Sequence, residues 1–342
     1  MVRARRSDTA ETVIVKGYDA DRSGEGWARE AAALTALAGL HTQSPAVVAV
    51  VASPPLVVME DLGPGDSVAT ALLGADPATA GRAVLDWAEA LADLHVATWN
   101  NVGGFVAALS ELAGPVPADP EAMPDVLTDG ITRLRRVADP LGVAVSESVT
   151  HEVLEVVTAL GGDVRVVSPF DACPDNNIRT AAGLRLIDFE GATVAHPAWD
   201  IAYLCVPWPT CWCAWRMPDS VAERAQQAWR DRVRAGLALG GPEPDWAGMD
   251  VAVRLASLVW CLVTVGWFLP RALTDHRAGG EGVNSPLLRA VVQNRLGLVA
   301  TSDVPQLAAS RDLARQLSAR LTSRWQSERL PLAPAFRRLS DA

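Results

Sequence analysis

Arg165-Val166-Val167-Ser168-Pro169-Phe170-Asp171-Ala172-Cys173-Pro174-Asp175-Asn176-Asn177-Ile178, then Leu184-Arg185-Leu186-Ile187-Asp188-Phe189-Glu190-Gly191, is the stretch that decides how this chain folds. The β-branched run at residues 165–168 and the apolar run at residues 184–187 each predict a short strand. Asp171 and Asn176 stand five apart after the first strand, and Asp188 follows the second directly. A carboxylate so placed can orient a hydroxyl and accept its proton, while an amide and a second carboxylate offer hard oxygen ligands for Mg²⁺. Each piece alone carries little, because an aspartate after an apolar strand is often a turn former. The order of the pieces carries the reading.

Toward the N-terminus stands Lys16, the chain's single lysine: of 30 lysines and arginines, the other 29 are arginine. The two cations are interchangeable on a solvated surface, but a site that needs a compact ammonium on a flexible stem does not accept a planar guanidinium. Lys16 lies in Glu11-Thr12-Val13-Ile14-Val15-Lys16-Gly17-Tyr18, a β-branched run that predicts a strand. Glu30 follows fourteen positions later in the helical pattern Trp27-Ala28-Arg29-Glu30-Ala31-Ala32-Ala33-Leu34-Thr35-Ala36-Leu37. Strand lysine, helix glutamate, D-x-x-x-x-N, strand and D-F-E is the sequence of parts that kinases use for phosphoryl transfer.

In these motifs the chain resembles the aminoglycoside phosphotransferase and choline-kinase-like family of the protein-kinase-like superfamily. Residues 44–52 and 56–63 look like that family's strands running into the hinge that holds adenine, which places Met59, Glu60 and Asp61 at the nucleotide. Ala92-Asp93-Leu94-His95 looks like the end of its long central helix, and His196-Pro197-Ala198-Trp199-Asp200 like the helix start after D-F-E. The resemblance covers roughly residues 10–205. It implies an α+β, two-lobed protein-kinase-like fold with a small antiparallel-sheet lobe and a larger, mainly helical lobe. It further implies ATP or GTP with Mg²⁺, and transfer of the γ-phosphoryl group to a hydroxyl of a small molecule such as an antibiotic or another secondary metabolite. Asp171 would then be the catalytic base, Asn176 and Asp188 the metal ligands, Lys16 steadied by Glu30 the phosphate contact, and Asp200 a structural support accepting backbone N–H groups of the catalytic loop.

Two departures stand out. Where the family usually has a histidine two residues before the catalytic aspartate, this chain has Pro169. Fifteen residues precede Lys16, whereas two strands and a phosphate-covering turn need on the order of 25 to 30. The small lobe is therefore expected to be truncated at its N-terminus, with residues 1–6 as one strand and 7–10 as a turn. These departures keep open a second class, a nucleotide-binding pseudokinase or regulatory protein. A protein kinase is disfavoured, because D-F-E runs straight to Pro197-Ala198-Trp199-Asp200 with no room for an activation segment.

At 342 residues the chain is long enough for two lobes with separate cores. We expect residues 1–62 to form the nucleotide-binding lobe, with Gly63-Pro64-Gly65 marking the crossing, and residues 63–342 the catalytic and substrate-binding lobe. The net charge of −10 argues against a nucleic-acid partner. Leu255 to Leu269 falls short of the roughly 20 residues of a membrane span, so a buried helix and no membrane partner are expected. No apolar signal region follows the N-terminal arginines, and the five cysteines include no C-x-x-C pair. All five are expected as reduced thiols in a cytoplasmic protein.

Val84, Trp87, Leu91, Leu94 and Thr98 recur at helical spacing, with His95 beside that stripe as a packed helix histidine. Loop signals fill residues 114–125, and helices are predicted near 125–138 and 146–160. Of twelve tryptophans, five fall at positions 199, 208, 212, 215 and 229, just after the catalytic strands. Core packing is the plainer account of them. As a candidate acceptor pocket, Trp208, Trp212 and Trp215 with Glu190 would offer flat apolar faces to a sugar ring, macrocycle or amine. In residues 216–234, Asp219, Glu223 and Asp231 are outnumbered by Arg216, Arg224, Arg230, Arg232 and Arg234, which points toward a less charged acceptor than a typical aminoglycoside.

Overall fold

The structure, a computed structural model, describes the chain apart from residues 8, 10, 20–23, 41, 114–117, 163, 239–242, 275, 280–282, 326–328 and 340–342. It begins with β1 (Val2–Arg5), β2 (Thr12–Gly17), α1 (Gly24–Leu37), β3 (Val47–Val51) and β4 (Leu56–Glu60). These strands make one antiparallel sheet in the order β1-β2-β4-β3. β1 and β2 pair from Val2↔Val15 to Arg5↔Thr12, so the expected first strand is present; the turn expected at residues 7–10 lies partly outside the described residues. The alternation of β2 and β4 turns Val13, Val57 and Met59 inward. Against the sheet lies α1, whose Ala31, Ala32, Ala33 and Leu34 are buried. Alanines on the packed face let a helix approach a sheet closely while keeping high helix propensity.

The remainder is mainly helical: α2 (Val68–Leu73), α3 (Pro77–Thr98), α4 (Gly103–Leu112), α5 (Met123–Ala138), α6 (Glu147–Leu160), then β5 (Val166–Ser168), β6 (Asn177–Thr180), β7 (Gly183–Leu186) and β8 (Thr193–Ala195). It closes with α7 (Ala198–Cys205), α8 (Asp219–Leu237), α9 (Trp246–Ala272), α10 (Leu288–Ala300) and α11 (Ala308–Thr322). The small lobe's sheet and this helical body give the α+β, kinase-like architecture. β5 pairs with β8 and β6 with β7, each antiparallel, so the two strands read from the sequence frame the D-x-x-x-x-N and D-F-E segments.

Asp76 caps α3, accepting from the N–H groups of Ala78 and Thr79 at 3.1 Å, with Pro77 in the first turn. α3 buries Val84, Trp87, Leu91 and Leu94 and runs against α8. α9 is the one described helix long and apolar enough to cross a membrane, but 72% of its apolar window is buried in the fold. Its contact with α5 is backbone-close: a Cβ on Gly266 would lie 2.6 Å from the Gly130 carbonyl oxygen and the Leu134 nitrogen. That approach fixes α5, which carries part of the site, against the deepest helix of the protein. The main cluster of buried side chains runs from Val57 and Met59 of the sheet into the helical body without a break, beside a small separate one of Ala214, Ala290, Val291 and Leu330, whereas length suggested one core for each lobe.

One expectation about the cysteines is overturned. Cys173 and Cys211 form a disulfide, leaving Cys205, Cys213 and Cys261 as thiols. The spacing within 211–213 gave no sign of it, because the partner lies 38 residues away on the loop after β5.

Candidate active site

β2 delivers Lys16 and α1 delivers Glu30, and the two meet at 2.6 Å. The same ammonium lies 2.5 Å from Asp188 Oδ1 and 3.2 Å from Glu190 Oε2. Tyr18 donates its hydroxyl to Glu30, and Lys16 Nζ sits 5.1 Å from its ring centre. Burial works against the Lys16 charge, but Glu30 and Asp188 outweigh it and hold the ammonium's pKa above its usual value. For Glu30 burial wins and raises its carboxyl, with Lys16 and Tyr18 opposing. Direct contact with two carboxylates keeps Lys16 protonated.

Asp188 leaves β7 with φ of 66° and Phe170 leaves β5 with φ of 69°, both in the left-handed region. For residues with a Cβ this conformation costs of order 1 kcal/mol or more and persists where the surroundings over-determine it. Here it turns Asp188 toward Lys16 and sets Asp171 facing the cleft. Gly191 allows the same turn: a Cβ there would lie 2.9 Å from the Phe170 ring.

Asp171 is held from the protein side. Thr210 donates to Asp171 Oδ1, and the Tyr203 hydroxyl lies 2.8 Å from Thr210 Oγ1 and 3.5 Å from Asp171 Oδ1. Since the threonine proton goes to the carboxylate, tyrosine donates to threonine. Burial, with Asp175 and Asp188 nearby, raises the Asp171 carboxyl to about 6, while Thr210 and Asn176 pull the other way. Asn176 donates Nδ2 to the Asp171 carbonyl oxygen at 2.8 Å. Its amide oxygen is thereby left to face a ligand.

Behind the loop, Asp200 is fully buried. Its Oδ1 accepts from Ser168 Oγ at 2.6 Å and its Oδ2 meets His95 Nε2 at 2.9 Å. Ser168 Oγ in turn accepts from the Phe170 N–H at 2.8 Å. Asp200 therefore reaches the loop after β5 through a serine hydroxyl, and not through direct backbone N–H bonds as expected. Trp229 Nε1 donates to His95 Nδ1 at 3.0 Å, which leaves the histidine proton on Nε2 for Asp200.

Asp171, Asn176, Asp188 and Glu190 line a cleft of about 1180 Å³ that also reaches Trp27, Asp119 and Asp125. A recess of about 440 Å³ adjoins it on the far side of Asp171, lined by Asp125, Val126, Asp129, Phe170, Thr210 and Trp267. The expected acceptor residues are not gathered there. Trp208 and Trp215 are buried at 0% and 3% exposure in the core, Trp212 donates to Asp175, and Glu190 stands by Lys16. Nor do the charged residues of 216–234 line the recess, since most belong to α8 on the outside of α3. Met59, Glu60 and Asp61 do not line the cleft: Met59 is buried, Glu60 pairs with Arg185 at 2.9 Å and Asp61 with Arg3 at 2.7 Å. Asp125, Asp129, Thr210 and Trp267 were missed because no local motif marks them; Asp125 and Asp129, one turn apart on a strongly amphipathic helix, were the only visible hint.

The donors suit a hard divalent cation. The oxygens of Glu30, Asp188 and Glu190, within 4.8 Å of one another, are taken up by the Lys16 ammonium. Asn176 and Asp188 both line the cleft, and an amide oxygen and a carboxylate are hard donors that fit Mg²⁺.

Among solved structures, an ethanolamine kinase from Plasmodium vivax aligns with a TM-score of 0.50 at 11% identity, over 89% of this chain and 79% of that one. A choline/ethanolamine kinase family protein from Mesorhizobium loti (TM-score 0.48, 15% identity, 92% of each chain) and a macrolide 2′-phosphotransferase from Brachybacterium faecium (0.48, 16%, 79% and 82%) are also similar. At these identities the likeness concerns the fold. No curated protein matches the chain. The model of the phosphotransferase enzyme family matches residues 3–250, from β1 into α9 and through every residue of the cleft, and the chain belongs to that family.

Proposed function

We propose that the protein is an ATP- or GTP-dependent O-phosphotransferase that moves the γ-phosphoryl group to a hydroxyl of a small molecule. One observation carries this reading: Lys16, the sole lysine, is fixed between Glu30 and Asp188, and Asp188 lines the cleft that also holds Asp171 and Asn176. Asn176 and Asp188 are the residues to hold Mg²⁺, which when bound neutralises charge on the phosphates. Lys16 binds phosphate oxygens, with Glu30 keeping the ammonium in place. Asp171, with Oδ1 fixed by Thr210, orients the acceptor hydroxyl through its other oxygen and accepts the proton there. Its raised pKa suits that task, since a base works best with a pKa near the working pH.

The recess beyond Asp171 narrows the acceptor. Asp125 and Asp171 give it negative charge, Asp129 being paired with Arg133 at 2.6 Å, and Phe170 and Trp267 give it aromatic surface. An amine-bearing molecule with an apolar face, an antibiotic among the candidates, fits this lining better than a neutral sugar. Calorimetric titration of nucleotide with and without Mg²⁺ tests the metal assignment. Wild type should bind far more tightly with Mg²⁺, and Asp188→Ala should lose that difference; equal Mg²⁺ dependence in both proteins would remove Asp188 from its role.

A further inference from the structure

Beside the loop that carries Asp171, and outside the lining of the cleft, lies a cluster of sulfur and oxygen that phosphoryl transfer does not use. Cys173, Cys211 and Cys213 each offer a sulfur, and the three atoms all lie within 4.8 Å of one another. Cys213 Sγ is 3.1 Å from Cys211 Sγ, and Asp175 Oδ1 is 3.4 Å from the same sulfur. All three cysteines are buried, at 3%, 2% and 1% exposure. Asp175 takes its contacts from the Trp212 indole and the Cys211 sulfur, and pairs with no lysine or arginine among the described residues. A disulfide accounts for two of the sulfurs. It leaves the third thiol and the unbalanced carboxylate unexplained.

We propose that Cys173, Cys211, Cys213 and Asp175 form a zinc site in the reduced chain, and that the Cys173–Cys211 disulfide is its oxidised form. Three thiolates and one carboxylate complete the four-coordinate shell that zinc prefers in structural sites, and Zn–S bonds of about 2.3 Å set sulfurs roughly 3.7 Å apart in a tetrahedron. The Cys173 and Cys211 Cα atoms, 5.8 Å apart, place both side chains within reach of one ion once the S–S bond is gone. C-x-D on the catalytic loop and C-x-C after α7 are too short to suggest a zinc motif singly; the fold joins them. The ion would fasten the loop carrying Asp171 and Asn176 to the segment carrying Thr210, which holds Asp171 in place.

The chemistry balances with a phosphine as reductant. The S–S bond breaks, phosphorus becomes a phosphine oxide with the oxygen of one water, and the two protons of that water end on Cys173 and Cys211. Zn²⁺ then displaces one proton from each of three thiols to solvent.

The test loads the reduced full-length chain with Zn²⁺ or Co²⁺ and measures metal content after desalting. One metal per chain is expected, with a thiolate-to-cobalt charge-transfer absorption that the carboxylate cluster at Lys16 cannot produce. Cys213→Ser should weaken binding about tenfold or more and diminish that absorption, while Cys205→Ser, outside the cluster, changes neither. Should Cys213→Ser fail to fold, Asp175→Asn read by chelator competition replaces it, with the same tenfold loss expected. Loss of all metal from the reduced wild type, cobalt binding without the sulfur absorption, or wild-type affinity in the ligand variant would each overturn the proposal.

Discussion

Removing the Asp200 carboxylate should destabilise the protein and slow it together, by amounts that the hydrogen bonds set. In Asp200→Ala, His95 Nε2–H and Ser168 Oγ–H, both on fully buried residues, lose their acceptor at once. Each buried donor left unpaired costs about 1 to 3 kcal/mol, so the pair gives a loss of roughly 2 to 6 kcal/mol. Ser168 Oγ also anchors the Phe170 N–H, so a freed serine lets the residue before Asp171 shift and kcat falls. Asp200→Asn is the informative companion. Trp229 fixes the proton of His95 on Nε2, so the asparagine oxygen must face His95 and its NH₂ group Ser168. The serine oxygen then receives two donors and must send its own proton elsewhere. One bond in the network is lost instead of two, and the expected cost is about 1 to 3 kcal/mol. Urea unfolding with kcat measured on the same samples decides it. An unchanged midpoint in Asp200→Ala with activity abolished would place Asp200 in the active site and refute the network argument.

Asp171→Asn should lower kcat by about 10² to 10⁴ while nucleotide affinity, measured by calorimetry, stays near wild type. With the Asp171 carboxyl near 6, the base is lost as pH falls through 6, so kcat/KM should drop below that value; Thr210→Val, which removes a bond to the carboxylate, should move this limb to higher pH, and an unmoved limb would count against the Thr210 contact. Lys16→Arg should reduce kcat/KM about tenfold or more, or ~1.4 kcal/mol, although arginine serves elsewhere in the chain; wild-type kinetics would show the lone lysine to be an accident of composition. Gly266→Ala, whose Cβ meets the α5 backbone at 2.6 Å, should cost about 1 to 3 kcal/mol by overpacking, read as a lower urea midpoint.

The part of the cleft formed by Asp171, Asn176 and Asp188 was legible because its residues are local in sequence. Asp171, Asn176 and Asp188 sit at fixed offsets from two short strands, and strand geometry does the rest. Lys16 and Glu30 were readable for a different reason: a strand and the helix packed on it can bring those two positions together in few ways. The acceptor side was not legible, because Asp125 and Asp129 come from α5, Thr210 from a loop and Trp267 from α9, and tertiary packing, the close approach of α5 and α9 at Gly130 and Gly266 included, brings those elements to one place. For the tryptophan cluster the plainer account, core packing, holds: large rings between helices are first of all core, as Trp208, Trp215 and Trp229 are, and the candidate pocket drawn on them is not there. The disulfide escaped notice because pairing across 38 residues is a tertiary fact.

The central claim is tested most directly by following the γ-phosphate by ³¹P NMR, with Mg²⁺ and ATP or GTP, against a panel of hydroxylated amines, in wild type and Asp171→Asn. The account predicts loss of the γ-phosphate resonance and growth of a phosphomonoester resonance with at least one acceptor in wild type, both suppressed in Asp171→Asn while nucleotide remains bound. Tight Mg²⁺–nucleotide binding with an unchanged γ-phosphate across the panel, or equal turnover in the two proteins, would contradict it.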